Sequence, residues 1–235
     1  IKDGDCLQIG IGGIPNSVTA FLADKKDLGI HTELLGDGIV DLAQKGIING
    51  SKKQYLTGKI TTSIVLGTDK TYNFVNNNPN VYVMSCDKCN DAYTISKNDN
   101  QVSINTSLEV DLTGQACSES IGSRIFSGTG GQSDTTIGAQ MSKGGRSFLA
   151  LYSTANVLNL ETQKREEISK IVPQLKLGAA VTLNRNDMMY LVTEYGVVNL
   201  RGLSIADRAK AIISIAHPKY RDWLTSEAKK LRLFR

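Results

Sequence analysis

Short apolar runs alternate with amphipathic stretches along the first part of the chain. The run Asp5–Ile11 ends in glycines, which is typical of a buried parallel strand followed by a tight turn. Pro15 then suits the first turn of a helix whose apolar positions recur at helical spacing. Leu28–Leu35 predicts the next strand, and Ile39–Lys45 predicts the next helix. This order of elements is typical of an α/β unit.

The same order recurs further along the chain. Tyr55–Leu66 alternates and is rich in β-branched residues, which predicts a strand, and Asp69–Asn77 predicts a helix. Asn78-Pro79 breaks this helix before a predicted strand at Val81–Ser85. Because strands alternate with helices, the pattern favours a parallel sheet over an antiparallel one.

The pattern changes between residues 90 and 114, where short predicted strands follow one another closely. Asp99-Asn100 favours a hairpin turn, and alternating residues predict strands at Val102–Ile104 and Leu108–Leu112. The later predicted elements are strands at Ser147–Leu151, around Val181 and at Tyr190–Thr193, and a helix at Ser204–Ile215.

The sequence contains no Pro/Ser-rich linker, low-complexity tract or repeat that would divide it. We therefore expect a single α/β domain over residues 1–235, with a mostly parallel open sheet flanked by helices and a short β-hairpin insertion. The first residue is isoleucine and a predicted strand begins within a few residues of it, so we expect the chain to be the later part of a longer polypeptide.

Composition and charge exclude several classes of function. The net charge is +4, and the few aromatic residues are not interleaved with basic ones, so we expect no nucleic-acid binding. The sequence lacks a long apolar run, so we expect no membrane span. Four scattered cysteines without a signal peptide favour a reduced, cytoplasmic protein. Cys86-Asp-Lys-Cys89 is a single CxxC without histidines at matching spacing, so no metal site is predicted.

Two glycine clusters and one carboxylate are the strongest candidates for chemistry. Gly10, Gly12 and Gly13 lie between a predicted strand and a helix, where backbone N–H groups can approach an anion or a developing oxyanion. Ser127–Gln132 offers a second set of such donors. Glu33 lies near the end of a predicted strand, where α/β sheets gather their ligands. The combination suggests acyl transfer.

Other readings of single residues stay open at this stage. A dinucleotide site fits the position of Glu33, but the glycine fingerprint requires Gly or Ala where the chain has Pro15. His31 is two residues before Glu33, so it would lie on the same side of a strand, orienting the site or packing rather than acting as a base. Glu109 and Asp111 share a strand face, where we expect solvated acids rather than a catalytic pair. Glu194-Tyr195-Gly196 and Arg201-Gly202 are expected to serve packing.

Several separate segments, in order along nearly the whole chain, resemble the C-terminal half of the acetyl-CoA hydrolase/transferase family. The resemblance is strongest to its 4-hydroxybutyrate and butyryl-CoA:acetate CoA-transferases. The segments are QIGIGGIPNSV, DLGIHTELLGDGIVDL, KNDNQVSINTSLEVDLTGQACSESIG, FSGTGGQSD, MSKGGRSF, VTEYGVVNLRG and AHPKYR.

The resemblance implies a role for each matching position. Glu33, in the HTE segment, corresponds to the glutamate that becomes covalently joined to coenzyme A. The coenzyme A-binding positions that it implies are Gln8, Ile9, Gly10, Ile11, Gly12 and Gly13 in the first turn, Gly128, Gly130, Gly131 and Gln132 in the GTGGQ segment, and Lys143.

The implied reaction moves coenzyme A between short-chain carboxylic acids such as acetate, butyrate or 4-hydroxybutyrate. Coenzyme A is then a substrate and a covalent intermediate, and a permanently bound cofactor is not expected. The implied partners are acyl-CoA and short-chain carboxylates, a second copy in a homodimer, and an N-terminal half that the chain lacks. The alternatives are an acyl-CoA hydrolase of the same family, a coenzyme A-binding fragment without turnover, and a nicotinamide-dependent oxidoreductase.

Overall fold

A computed structural model describes residues 1–10, 12–158 and 162–235. By its internal contacts the chain divides into two units. The first unit comprises Ile1–Thr106 and Gly131–Phe148, and the second comprises Ser107–Gly130 and Leu149–Arg235. This division does not decide how many domains the protein has, so the single domain stays a prediction.

The first unit contains a parallel sheet. Its strand order is β7-β1-β2-β4-β6 among the described residues, and each neighbouring pair is parallel. The strands of this unit are β1 (Cys6–Ile9), β2 (Gly29–His31), β3 (Leu34–Leu35), β4 (Ile60–Thr62), β5 (Ile64–Val65), β6 (Val81–Val83) and β7 (Gln101–Thr106). All four residues of the central strand β1 are buried, as expected for a parallel strand that is covered on both faces.

Helices flank this sheet, and the predicted α/β class is confirmed. They are α1 (Gly13–Ala20), α2 (Asp37–Gln44), α3 (Asp69–Val75), α4 (Cys86–Cys89), α5 (Ala92–Ser96) and α6 (Gln132–Met141). The first two helices approach each other closely at Gly38, where a Cβ atom would lie 2.4 Å from Thr19 Oγ1. Apolar residues of the strands and of α2 form the core of this unit, among them Leu7, Ile30 and Val40.

The second unit consists of short strands followed by two helices. Its elements include β8 (Glu109–Asp111), β9 (Ala116–Cys117), β10 (Ser120–Ile121), β11 (Arg124–Ile125), β13 (Thr154–Leu158), β14 (Arg165–Ser169), β15 (Ile171–Val172), β16 (Tyr190–Thr193), β17 (Gly196–Asn199), α7 (Ile205–Ser214) and α8 (Pro218–Lys230). Strand β12 (Arg146–Ala150) includes residues of both units. Ser204 caps α7 by accepting a hydrogen bond from Asp207 N–H, and buried residues such as Leu191 and Ile212 form the core.

The hairpin predicted at Asp99-Asn100 is wrong. The segment before it forms the short helices α4 and α5, and the strand after it, β7, runs parallel to β1. Asp91 caps α5 by accepting a hydrogen bond from Thr94 N–H at 2.8 Å, which favours a helix there. Hairpin insertions do occur in the second unit, where β13 pairs with β14 and β16 pairs with β17. Val181, predicted to lie in a strand, is outside the strands of the described chain.

The turn between α6 and β12 explains the glycines of the segment SKGG. Gly144 has a φ of +74°, in the left-handed region that favours glycine. A Cβ atom on Gly145 would lie 1.9 Å from the Ala139 carbonyl oxygen. Both glycines are therefore required by the packing of this turn, whatever else the segment does. None of the helices in the described ranges is long and apolar enough to cross a membrane.

We predict that Gly145→Ala lowers the free energy of unfolding by about 2 to 3 kcal/mol, because the added methyl group must displace the end of α6. Gly128→Ala is the matched control, since a Cβ atom there meets open space. Urea unfolding followed by circular dichroism measures both variants. Equal midpoints for the two would show that the turn relaxes freely and that the steric argument is incorrect.

Candidate active site

Glu33 lies at the carboxyl end of β2, in a break between β2 and β3. The predicted continuous strand Leu28–Leu35 is therefore interrupted, and the alternation that would place His31 beside Glu33 does not hold. The neighbouring strand causes the break: the Glu33 carbonyl oxygen accepts hydrogen bonds from Ser63 N at 3.1 Å and Ile64 N at 2.8 Å. The hydroxyl groups of Thr62 and Ser63 donate to the same oxygen. The backbone of Glu33 is thus held by the stretch that joins β4 to β5.

The side chain of Glu33 meets the start of α6. Gly131 N–H donates a hydrogen bond to Glu33 Oε2 at 3.0 Å, and Gly131 is the residue immediately before the helix. A helix N-terminus carries partial positive charge and unpaired N–H groups, so it stabilises a carboxylate. A Cβ atom on Gly131 would lie 2.9 Å from Glu33 Oε2 and 2.4 Å from Asn90 Nδ2. Glycine is therefore required for this contact.

The second carboxylate oxygen faces a thiol. Cys86 Sγ lies 4.0 Å from Glu33 Oε1, and Cys86 is exposed. Asn90 Nδ2 donates to this sulfur at 3.5 Å, and Ser63 Oγ lies 3.6 Å from it. The sequence patterns did not indicate Ser63, Cys86 or Asn90 as residues beside Glu33. They could have been found from the rule that ligands gather at the carboxyl ends of parallel strands, because Ser63 follows β4 and Cys86 follows β6.

Two buried polar atoms belong to residues that adjoin Gly131 and have unused hydrogen-bonding capacity. Asn90 Oδ1 and Gln132 Nε2 have no hydrogen-bond partner among the described residues. Asn90 packs against Gly131, and Gln132 follows it in the chain. Buried polar groups are normally paired, so an acceptor and a donor left over here are consistent with a polar ligand that completes them.

Asp134, in the first turn of α6, adds a second acidic group. Its pKa is raised by burial, by the negative charge of Glu33 and, to a smaller extent, by Asp91. A neighbouring negative charge disfavours the ionised form of a carboxyl group, which accounts for the contribution of Glu33 to this rise.

His31 and Cys89 lie behind the carboxylate in the interior. The imidazole is buried and its Nε2 lies 2.9 Å from the Cys89 carbonyl oxygen. Cys89 Sγ donates to the Thr32 carbonyl oxygen at 3.3 Å, and burial raises the pKa of this thiol to about 12. The two cysteines of the CxxC segment thus differ in environment. Groups of histidine, cysteine and acidic residues able to hold a metal do not occur in the part of the chain that the structure describes.

The first glycine turn lies beside a separate cavity. Ile9 and Gly10 line a cavity of about 360 Å³ together with Leu34 and the turn Gly36–Gly38, but Glu33 does not line it. Gly10 is packed tightly, since a Cβ atom would lie 2.6 Å from Asn105 Oδ1. Ile9 is buried, and it forms part of the wall of this cavity.

The remaining positions of that turn differ from one another. Gln8 is buried, and its side-chain amide forms hydrogen bonds with Ser103, Ile104 and Asn105. This side chain therefore links β1 to β7. Gly12 has a φ of +120° and precedes α1, whereas Gly13 is its first residue and has open space around it. Ile11 lies outside the described residues.

Of the predicted GTGGQ positions, Gly131 is brought to Glu33, and Gln132 follows it as the first residue of α6. Gly128 and Gly130 are exposed residues of the second unit. Lys143 is not brought to Glu33: its carbonyl accepts from Asn100 N–H immediately before β7, at the other end of α6. That helix has ten residues, a length of about 15 Å. The side chain of Lys143 is 88% exposed, and its role in coenzyme binding stays a prediction.

The acidic residues expected to be solvated are buried instead. Asp111 Oδ1 accepts hydrogen bonds from Thr113 N–H and Gln115 N–H, which organises the turn after β8. Glu109 Oε1 accepts from Lys176 N–H at 3.1 Å. Both carboxylates are buried and accept hydrogen bonds within the fold, so the expectation of solvated acids is wrong. Glu194 accepts hydrogen bonds from Ser153 N–H at 2.9 Å and from the Ser153 hydroxyl at 2.7 Å, and its packing role stays a prediction.

Comparison with known proteins identifies the family. A family model described as the acetyl-CoA hydrolase/transferase C-terminal domain matches residues 67–228. The 4-hydroxybutyrate coenzyme A transferase of Clostridium kluyveri is 50% identical over 230 residues, 98% of this chain and 52% of that protein. The butyryl-CoA:acetate CoA-transferase of Anaerostipes caccae is 43% identical over 238 residues, 100% of this chain and 52% of that protein.

Structural comparison agrees. RipA from Yersinia pestis has a TM-score of 0.91 at 42% identity, over 100% of this chain and 51% of that one. An acetyl-CoA hydrolase, that of Yarrowia lipolytica, is more distant, at 32% identity over 93% of this chain and 39% of that protein. The chain spans about half the length of the curated relatives first named above. The chain belongs to the acetyl-CoA hydrolase/transferase family.

Proposed function

We propose that this chain forms the coenzyme A-handling part of a CoA-transferase for short-chain carboxylic acids, with Glu33 as the covalent acceptor. The observation that carries the proposal is the hydrogen bond from Gly131 N–H to Glu33 Oε2 at the start of α6. The family membership and the names of the closely similar CoA-transferases support it. The acids we propose are acetate, butyrate or 4-hydroxybutyrate.

The two carboxylate oxygens of Glu33 differ, and the difference suggests separate tasks. Oε2 is held by Gly131, whereas Oε1 faces the exposed Cys86. In the first step Oε1 attacks the acyl carbon of an acyl-CoA, the carbon–sulfur bond breaks, and coenzyme A leaves as a thiolate. The product is a mixed anhydride in which Oε2 is the glutamyl carbonyl oxygen.

In the second step the coenzyme A thiolate attacks the glutamyl carbon. The bond between that carbon and Oε1 breaks, the first acid leaves as a carboxylate, and a glutamyl-CoA thioester remains. Negative charge develops on Oε2 during this step, and Gly131 N–H already points to that atom. Such a preorganised donor lowers a barrier by about 3 kcal/mol. An incoming carboxylate then reverses the two steps.

Coenzyme A enters this reaction as a substrate, and a resident cofactor is not required. We infer that the first glycine turn, Gly10–Gly13, and the exposed glycines Gly128 and Gly130 contact the coenzyme through their backbone. Binding energy from the remote nucleotide would help to hold the reacting thioester at Glu33. Gln8 and Ile9 would act indirectly, because both are buried in β1.

A hydrolase of the same family would use the same glutamate, with water in place of the acceptor acid. We favour the transferase because the two transferases named above are 50% and 43% identical to the chain, whereas the hydrolase is 32% identical. Acetate should accelerate the loss of butyryl-CoA and yield acetyl-CoA. A rate that is unchanged by acetate would favour the hydrolase instead.

We also propose a cytoplasmic location and a homodimer that includes an N-terminal half. The unpaired state of the four cysteines supports a reducing compartment. The family resemblance supports the dimer and the further half, since the chain spans about half of its curated relatives.

Trapping the covalent intermediate tests the central claim. The full-length product of the gene is incubated with butyryl-CoA and then with borohydride, which reduces a glutamyl thioester to an alcohol. Mass spectrometry should find the change at Glu33. Glu33→Gln should lose activity by roughly a thousandfold or more and lack the adduct, whereas Glu166→Gln, at an exposed acid, should retain both. An unmodified Glu33 in protein that consumes butyryl-CoA would mean that another group is the nucleophile.

Gly131→Ala tests the donor at Oε2. The added Cβ atom would press on Asn90 and on the Glu33 carboxylate, so kcat should fall by about 10²- to 10³-fold. The matched control is Gly138→Ala in the same helix, where a Cβ atom would lie 2.7 Å from Ile95 rather than at Glu33. That variant should lose stability but keep its activity per folded molecule. Equal kcat losses in the two variants would argue against a role for Gly131 in the reaction.

Selective labelling of Cys86 tests whether reagents reach the site. Cys86 is exposed whereas Cys6, Cys89 and Cys117 are buried, and burial raises the pKa of Cys6 to about 12. Methyl methanethiolsulfonate should therefore label Cys86 first and inactivate the enzyme, because the label lies against Glu33. Butyryl-CoA should protect, and Cys86→Ser should resist inactivation. Full activity after complete labelling would place the acyl group elsewhere.

A further inference from the structure

His31 is held by two hydrogen-bonding partners of opposite kinds. The residue is 1% exposed and ends β2, two positions before Glu33. Its Nε2 lies 2.9 Å from the Cys89 carbonyl oxygen. A carbonyl oxygen only accepts, so Nε2 must carry the hydrogen.

The other ring nitrogen faces a donor. His31 Nδ1 lies 3.5 Å from Asn98 Nδ2, and the orientation of that amide is fixed because Asn98 Oδ1 accepts from Tyr55 N–H at 3.0 Å. An amide NH₂ group only donates, so Nδ1 must be unprotonated. The two contacts together select one form of the ring, the neutral Nε2–H tautomer. A second proton on Nδ1 would point at the Asn98 donor.

The surroundings of the ring agree with this assignment. Burial lowers the pKa of His31 to about 4; the hydrogen bond to Cys89 opposes this shift, and the charge of Lys53 adds to it. Lys53 is itself buried and donates to the Ile30 carbonyl oxygen beside the histidine. The centroid of the Tyr55 ring lies 6.1 Å from that of the His31 ring, and Lys97 Nζ lies 5.2 Å from the Tyr55 centroid. The ring is therefore uncharged at neutral pH.

The carbonyl that His31 binds belongs to the short helix carrying the groups around Glu33. Helix α4 begins at Cys86 and ends at Cys89, and Asn90 follows with its N–H bonded to the Cys86 carbonyl oxygen at 2.9 Å. Cys89 Sγ provides a second tie from this helix, to the Thr32 carbonyl oxygen. The β2 end and α4 are thus joined on the inner side, while Cys86 and Asn90 meet Glu33 and Gly131 on the outer side.

We propose that His31 is a positioning residue for the Glu33 reaction: its neutral Nε2–H holds α4, and with it Cys86 and Asn90, at the distance from Glu33 that the covalent step needs. The inference rests on the proposed function, in which Glu33 is the acceptor. His31 contributes no proton to the reaction. Its effect is to keep the groups around the carboxylate preorganised.

The test compares three variants in the full-length gene product. His31→Leu removes the donor, whereas His31→Gln keeps an amide N–H that can reach the Cys89 carbonyl oxygen. We expect His31→Leu to lower kcat by about 10- to 100-fold with little change in KM for butyryl-CoA, and His31→Gln to recover most of the rate. His217→Leu, which alters the second histidine of the chain at the cap of α8, is the control and should keep the wild-type kcat.

The pH profile separates positioning from proton transfer. The dependence of kcat/KM on pH between 5 and 9 should have the same shape in the wild type and in His31→Gln, because a neutral His31 does not titrate in that range. Loss of a limb in His31→Gln would show that His31 exchanges a proton and would overturn the inference. So would a wild-type rate in His31→Leu, or a His31→Gln rate as low as that of the leucine variant.

Nitrogen chemical shifts keep the inference testable even where His31→Leu fails to fold. In uniformly labelled wild-type protein, the His31 ring should show the Nε2–H tautomer at pH 7, and His217→Leu assigns the signals. A charged ring or the Nδ1–H tautomer would overturn the inference.

Borohydride trapping distinguishes failure of the proposed function from failure of the proposed role of His31. Turnover without a Glu33 adduct would refute the proposed function, whereas an adduct that forms at the wild-type rate in His31→Leu would refute only the role of His31.

Discussion

One contact organises the edge of the first unit at which the parallel strands end. It joins the Glu33 carboxylate to the N–H of Gly131 at the start of α6. It requires a break after β2, which the strand β4 and its continuation provide by bonding the Glu33 carbonyl oxygen. It requires the absence of a side chain at Gly131, because Asn90 occupies the neighbouring space. A single hydrogen bond thus depends on a strand, a loop and a helix.

The parallel sheet could be predicted because its strands are short apolar runs that end at glycine or polar residues. Leu7, Ile30 and Val102 are buried partners in the strands that this pattern indicated. The helix predicted at Ser204–Ile215 is present as α7, and Ser204 is its N-terminal cap. The hairpin at Asp99-Asn100 failed because helices of one turn, such as α4 and α5, leave too few residues for a periodic signal. For α5, the cap residue Asp91 is the sequence feature that indicates a helix.

The candidate site was predictable in part, and the missing part has a physical cause. Glu33 and Gly131 each lie in segments whose chemistry indicates a site, but their contact depends on packing that sequence spacing does not encode. Cys86, Asn90 and Ser63 have weak local signals and become meaningful once the strand ends are aligned. Conversely, Lys143 has a suggestive motif, yet the glycines beside it are explained by a crowded turn. Residue type alone therefore did not separate ligand-binding glycines from packing glycines.

Glu33 and Gly131 are 98 positions apart in the chain, and their contact has a consequence for how the site comes into being. Bringing distant segments together costs loop-closure entropy before the contact contributes any stabilisation. Such contacts therefore form late unless other interactions bring the segments together. Here β1 must pair with β2 and β7, and α6 must settle on the sheet, before the carboxylate meets its donor. A partly folded chain would carry the glutamate without its donor, so reactivity at this residue is tied to completion of the fold.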